Sequence, residues 1–194
     1  LALGSATVTP LEIARGYASF ANGGYLINPF LIARIEDQDG AIVEYANREM
    51  ICPDCPAPKT KTSSNQNRTV DSRFAPRIIS EENAFIVDSL MKEVVSNGTA
   101  KAALQLNRSD LAGKTGTTNN YFDAWFTGYN PDVVTSVWVG FDSPQDLGKG
   151  ESGARAALPI WIDYMRVALE NRPDLEREIP EKIVELRTNP ISGL

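Results

Sequence analysis

Between Leu111 and Phe141 three strand candidates follow one another, Leu111 to Thr118, Ala124 to Tyr129 and Val133 to Phe141, and this run limits the fold more than any other feature. The third contains Val133-Val134-Thr135-Ser136-Val137-Trp138-Val139, a β-branched and aromatic segment suited to a pleated surface. Asn130-Pro131-Asp132 supplies the turn before it. The first candidate carries Gly113-Lys114-Thr115-Gly116-Thr117-Thr118-Asn119-Asn120, which puts a cation, a bare backbone and several hydroxyls close together. That stretch is where chemistry is expected.

Helices are predicted around these strands. Thr9-Pro10-Leu11-Glu12 is a capping box with proline at the first helical position, so a helix should run to about Asn22 and end at Gly23-Gly24. Its packing stripe is Leu11, Ala14, Ala18 and Ala21. Ser80 caps a second helix with Glu81 and Glu82 in its first turn; Phe85, Ile86, Leu90, Met91, Val94 and Val95 form its apolar face until Asn97-Gly98. A last helix from about Ala154 to Glu170 should bury Leu158, Trp161, Ile162, Met165 and Leu169, with Pro159 tolerated in its first turns. Phe30 to Ile35 and Ala41 to Tyr45 alternate around Asp37-Gln38-Asp39-Gly40, which predicts a projecting β-hairpin. From Ala57 to Arg73 the chain is polar and reads as a mobile surface loop.

Several function classes are excluded by what the sequence lacks. A phosphate-binding loop ending in Gly113-Lys114-Thr115 needs a glycine where Arg108 stands, and its lysine must open a helix rather than a strand. Gly148 to Gly153 lacks the strand-to-helix context of a dinucleotide site. The net charge is −6, with 19 basic and 25 acidic residues and no basic cluster, so no nucleic-acid footprint is present. No apolar run approaches the ~20 residues that cross a bilayer, so any membrane anchor is expected outside this sequence. The chain starts at Leu1 rather than Met and is expected to be a piece of a longer polypeptide. There is no histidine, which rules out Ser-His-Asp and Cys-His machinery and leaves lysine as the base for a hydroxyl nucleophile. Cys52 and Cys55, in Cys-Pro-Asp-Cys, make only half of a zinc site; a loop staple, a free or metal-shared pair and a redox pair remain open.

Lys114-Thr115-Gly116 is a signature of penicillin-binding proteins and serine β-lactamases. Together with Leu1-Ala2-Leu3-Gly4-Ser5, the segment Val8-Thr9-Pro10-Leu11-Glu12 through Gly24, and Tyr121 through Tyr129, it resembles the transpeptidase domain of class A, bifunctional penicillin-binding proteins. The resemblance extends from residue 1 to about residue 165 and is weakest between Met50 and Arg73. It implies an α/β (α+β type) fold like that of the penicillin-binding transpeptidases and serine β-lactamases, with helices around an antiparallel sheet whose edge strand carries Lys114 to Thr117. Residues 1–170 would be the C-terminal half of that domain, with the hairpin and loop at about 30–76, and residues 171–194 an extension.

The resemblance also implies the activity, a peptidoglycan D,D-transpeptidase at the periplasmic face of the bacterial inner membrane that cross-links stem peptides ending in D-Ala-D-Ala and is the target of β-lactams. Lys114 and Thr117 would be catalytic, Lys114 through its charge and Thr117 through its backbone N–H as an oxyanion donor. Thr115, Gly116, Thr118 and Asn119 would bind substrate, with no cofactor and no metal. Tyr121, Phe122 and Trp125 read as sheet packing before cleft wall. The periplasm so implied would join Cys52 to Cys55 in a disulfide. The Ser-x-x-Lys nucleophile, the Ser-x-Asn element and a glycosyltransferase domain are expected upstream of Leu1, in the rest of the same polypeptide. Ser109-Asp110-Leu111-Ala112 and Ser96-Asn97-Gly98-Thr99 fail the first pattern, and Ser63-Ser64-Asn65 matches the second only within the polar loop. The rival readings are a D,D-carboxypeptidase or serine β-lactamase, where water accepts the acyl group, and a non-catalytic penicillin sensor or scaffold.

Overall fold

A computed structural model describes residues 6–52 and 74–189. The chain runs through α1 (Pro10–Ala21), the hairpin β1 (Arg34–Glu36) and β2 (Ile42–Tyr45), α2 (Glu81–Ser96), β3 (Ala112–Thr117), β4 (Asp123–Tyr129), β5 (Val134–Gly140) and α3 (Leu158–Ala168). β3, β4 and β5 form one antiparallel sheet in sequence order, with Gly113 opposite Gly128 and Trp125 opposite Trp138. Helices cover both faces. Ala112 and Tyr129 pack with Ala21 of α1 and Met91 of α2 on one, and Phe126 packs with Leu158, Trp161, Ile162 and Met165 on the other.

Both helix starts form as their residues dictate. The Thr9 hydroxyl accepts the Glu12 N–H at 3.3 Å while the Glu12 carboxylate accepts the Thr9 N–H at 2.7 Å. Ser80 accepts the Asn83 N–H at 3.3 Å. The buried faces differ from the expected stripes. On α2 the inward residues are Ala84, Asp88, Met91 and Val95, whereas Ile86 and Leu90 are 46% and 64% exposed. A charged residue takes an inward position because Tyr129 donates its phenol to Asp88 at 2.9 Å and the Lys92 ammonium lies 3.3 Å from the other carboxylate oxygen. Burial, reinforced by Asp88, pushes the Tyr129 phenol far above its ordinary range, so it stays a donor. Leu11 of α1 is likewise exposed.

Two other elements are shorter than the sequence suggests. The last α-helix starts at Leu158, after a single wide turn at Gly153–Ala157. Pro159 has no N–H and its ring opposes the carbonyl four residues earlier, so the regular helix begins beside it. In the hairpin, Phe30 to Ala33 stay outside the strand, and the register shifts between Ile35 and Glu36. The turn is closed by the Asp37 carboxylate, which accepts the Asp39 and Ala41 N–H groups at 2.9 Å each, with Gly40 at a φ of +81°. Cys52 is disulfide-bonded; Cys55, the polar loop and Ser63-Ser64-Asn65 lie outside the described residues.

Glycines allow the layers to approach. A Cβ on Gly128 would lie 2.8 Å from both the Phe126 and Trp161 rings, and one on Gly113 would lie 2.8 Å from the Gly128 Cα. Trp161 thus rests on bare backbone and donates its indole N–H to the Gly128 carbonyl at 3.2 Å. Gly153 is seated as closely. A Cβ there would collide with the Trp125 carbonyl oxygen and stand 2.6 Å from that of Gly116.

Among the described residues, the segment after α3 has no helix or strand but is bonded along the domain. Arg108 grips the buried Asp110 carboxylate with two hydrogen bonds, at 2.9 and 2.6 Å, and donates to the carbonyls of Arg172 and Pro173 at 2.8 Å. Asn130 and the Leu175 N–H complete the carboxylate's partners at 3.1 Å each. Further on, Arg177 donates to the carbonyls of Phe20 and Ala21 at 2.6 Å, which places a cation on the C-terminal end of α1.

Two predictions follow from this packing. Burial opposes ionisation of Asp110, but Arg108, Asn130 and the Leu175 N–H outweigh it and hold the carboxyl below its ordinary value. Its stabilisation is therefore present above the unfolded carboxyl's pKa and is lost as pH falls through the lower folded value. In urea unfolding of the intact polypeptide, Asp110→Asn should cost about 3–5 kcal/mol at neutral pH, with the difference from wild type shrinking below about pH 4. A constant difference across the acid range would contradict this account. Gly153→Ala should cost about 1–3 kcal/mol in the same assay, because the added methyl forces the wide turn off the sheet. An unchanged midpoint would mean that the turn can move without loss.

Candidate functional site

The site is built on β3, which has β4 on one side and, among the described residues, no strand on the other. Such an edge leaves N–H and C=O groups free for an extended peptide. Strand alternation puts Lys114 and Gly116 on the face of Ala112, toward α1 and α2, and Thr115 and Thr117 on the other face. Lys114 is exposed; its ammonium donates to the Thr115 carbonyl at 3.0 Å and makes no ion pair among the described residues. Among the described residues, no carboxylate forms an ion pair with that charge.

Each threonine hydroxyl of the strand has a partner from another element. Thr115 Oγ1 lies 2.9 Å from Thr99 Oγ1, just beyond the end of α2. Thr117 Oγ1 accepts the Gly153 N–H at 3.0 Å. Because that bond uses an oxygen lone pair, the Thr117 proton remains free to be donated. The Gly153 backbone packs against Gly116, since a Cβ on Gly153 would stand 2.6 Å from the Gly116 carbonyl oxygen, while a Cβ on Gly116 itself would meet the Trp125 side chain at 3.1 Å.

Thr118 and Asn119 lie beyond the strand. The Thr118 hydroxyl accepts the Asp123 N–H at 2.7 Å and so closes the turn into β4. Asn119 is exposed and opens a short 3-10 turn through Tyr121, in which Asn120 and Tyr121 have φ values of 64° and 55°. Two adjacent non-glycine residues in the left-handed region are unusual, and they bring the Tyr121 carbonyl to the Leu147 N–H at 3.0 Å. Trp125 stacks at a tilt on Trp138 with ring centroids 6.1 Å apart, and Trp138 donates to Asp123 at 2.9 Å, so these aromatics brace the sheet. Among the described residues, no group of three or more His, Cys, Asp or Glu side chains is placed to hold a metal ion.

Sequence reasoning passed over three features. Thr99 and Gly153 touch the motif from a distance, and their only local signals were the Asn97-Gly98 helix stop and the glycine-rich stretch ending at Gly153. The third is a Ser-x-x-Lys match within the chain, Ser89-Leu90-Met91-Lys92. It falls in the interior of α2, where Ser89 donates its hydroxyl to the Phe85 carbonyl at 3.0 Å and Lys92 pairs with Asp88. That hydroxyl is engaged by its own helix, and the lysine is engaged by a carboxylate.

A family model described as the penicillin-binding protein transpeptidase domain matches residues 1–161. The chain is 44% identical, over its whole length, to penicillin-binding protein 1A of Pseudomonas aeruginosa, and 42% identical over 95% of its length to that of Neisseria lactamica. It spans only 26% and 21% of those two proteins. The crystal structure of penicillin-binding protein 1A from Haemophilus influenzae superposes on all of it with a TM-score of 0.87 at 40% identity, the chain covering 31% of that protein. An imipenem acyl-enzyme complex of penicillin-binding protein A from M. tuberculosis shares the fold over 85% of the chain, with a TM-score of 0.56 at 24% identity. With its antiparallel sheet, its helix-covered faces and Lys-Thr-Gly on the outer strand, the chain belongs to the penicillin-binding protein transpeptidase domain family.

Proposed function

We propose that this domain is the C-terminal half of a serine D,D-transpeptidase that cross-links peptidoglycan stem peptides and is acylated by β-lactams. The observation that carries the reading is the edge of β3, which among the described residues has no further strand beside it and no ion pair on its Lys114 cation, with hydroxyls at Thr115 and Thr117. Membership of the transpeptidase domain family supports it. A stem peptide ending in D-Ala-D-Ala lies along β3 as an added strand. Thr115 and Thr117 donate their hydroxyl protons to its terminal carboxylate, and Lys114 adds positive charge there. Gly116 keeps the strand surface low, and exposed Asn119 flanks the bound peptide, while Thr118 acts by holding the turn.

The nucleophilic serine attacks the penultimate D-Ala carbonyl, and the tetrahedral oxyanion is held by the N–H groups of that serine and of Thr117. The serine proton passes through a lysine relay, which Lys114 supports, to the departing D-Ala amine. An amine from a neighbouring stem peptide then takes the acyl group. The Ser-x-x-Lys and Ser-x-Asn elements, a glycosyltransferase domain and a membrane anchor belong to upstream sequence of the same polypeptide, at the periplasmic face of the inner membrane. Within the described residues no helix is long and apolar enough to cross a membrane.

Lys114→Ala in the intact polypeptide should slow acylation by a labelled penicillin by about 10²–10³-fold, the loss expected when a charge-stabilising group leaves such a site. Wild-type kinetics in a folded variant would remove Lys114 from the mechanism. The 194-residue chain alone should form no covalent penicillin adduct. Mass spectrometry after incubation decides this; an adduct on Ser89 would move the nucleophile into α2.

A further inference from the structure

The Thr115 hydroxyl is not free-standing, and its partner lies outside every motif named so far. After Ser96 the chain leaves α2 through a tight exit in which the Gly98 N–H returns to the Glu93 carbonyl at 3.1 Å and the Ala100 N–H to that of Val94 at 3.0 Å. Gly98 leaves no room for a side chain, since a Cβ would stand 2.8 Å from the Val94 Cα, and Ala100 is fully buried. Thr99 is therefore held on both sides by backbone that cannot shift. Its own side chain is exposed, and its hydroxyl lies 2.9 Å from that of Thr115.

We infer that Thr99 is a positioning residue for the carboxylate-binding hydroxyl of Thr115. The inference rests on the proposed role of Thr115 as a carboxylate ligand. A carboxylate accepts hydrogen bonds and donates none, so when it docks on Thr115 the Thr115 proton must point toward it. The lone pair facing Thr99 then needs a donor, and the Thr99 hydroxyl provides one. The result is a polarised chain from Thr99 through Thr115 to the anion, in which each bond strengthens the next. The Gly153 N–H does the same for Thr117, so both hydroxyls of the strand are supported from behind by donors from outside the strand. The rigid exit of α2 gives Thr99 its precision.

The test measures second-order acylation of the intact polypeptide by a penicillin with a free carboxylate and by its methyl ester. Thr99→Val keeps the shape and removes the hydroxyl, and Thr99→Ser restores it. Thr99→Val should lose about tenfold with the free acid and less than about twofold with the ester, and Thr99→Ser should stay within about threefold of wild type with both. Near-UV circular dichroism and thermal midpoints check the fold, and Thr99→Ala replaces the valine variant if that protein does not fold. Equal losses for acid and ester, or a free-acid rate within about twofold of wild type, would overturn this inference alone. A wild-type polypeptide that no penicillin acylates would overturn the transpeptidase reading as well.

Discussion

The seating of Trp161 and Phe126 on the Gly113–Gly128 pair is the contact on which the remaining arrangement depends. Two glycines opposite each other across β3 and β4 remove the side-chain layer at one spot, and an indole and a phenyl ring fill the space against bare backbone. That contact fixes α3 against one face of the sheet, and α3 in turn fixes the wide turn at Gly153 that reaches Thr117. Core and site are thus one packing problem. A methyl group added at Gly128 would act on the motif strand through its cross-strand partner Gly113, the residue before Lys114.

Polar groups from three places in the chain meet and are partnered at Asp110. Asp110 gathers Arg108, Asn130 and the Leu175 N–H at one buried carboxylate, linking the start of β3, the β4–β5 turn and the segment after α3. Asn130 serves twice, since its side-chain oxygen also accepts the Val133 N–H at 2.8 Å and shapes the turn. Removing a member of such a group strands the others without partners, so the cost exceeds that of any single bond.

Local chemistry was legible in the sequence wherever neighbours decide it. The Thr9–Glu12 capping box, the Ser80 cap, the three sheet strands and the Lys-Thr-Gly motif all follow from spacing or residue type within a short window. Long-range pairings were not legible in the same way. Asp88 does not look like an inward residue until Tyr129 and Lys92 meet it, and the exposure of Ile86 and Leu90 follows from that choice. Thr99 and Gly153 are 16 and 36 residues from the hydroxyls they touch, and nothing in their own surroundings names a partner. The Ser89-to-Lys92 match illustrates the reverse. The letters are present, but the helix interior uses the hydroxyl for its own carbonyl.

The bond from Arg177 to the end of α1 joins residues 156 and 157 positions apart. α1 therefore emerges from a ribosome with only the local Asn22, Gly23 and Gly24 N–H groups on its last turn, and it lacks the Arg177 cation until the segment after α3 has been synthesised. Order in α1 is tied to arrival of the tail, and loop closure over that distance is slow compared with helix growth. A nascent chain halted after α3 would hold strands β3 to β5 and helices α1, α2 and α3 yet lack the strap that fastens α1 to the segment after α3.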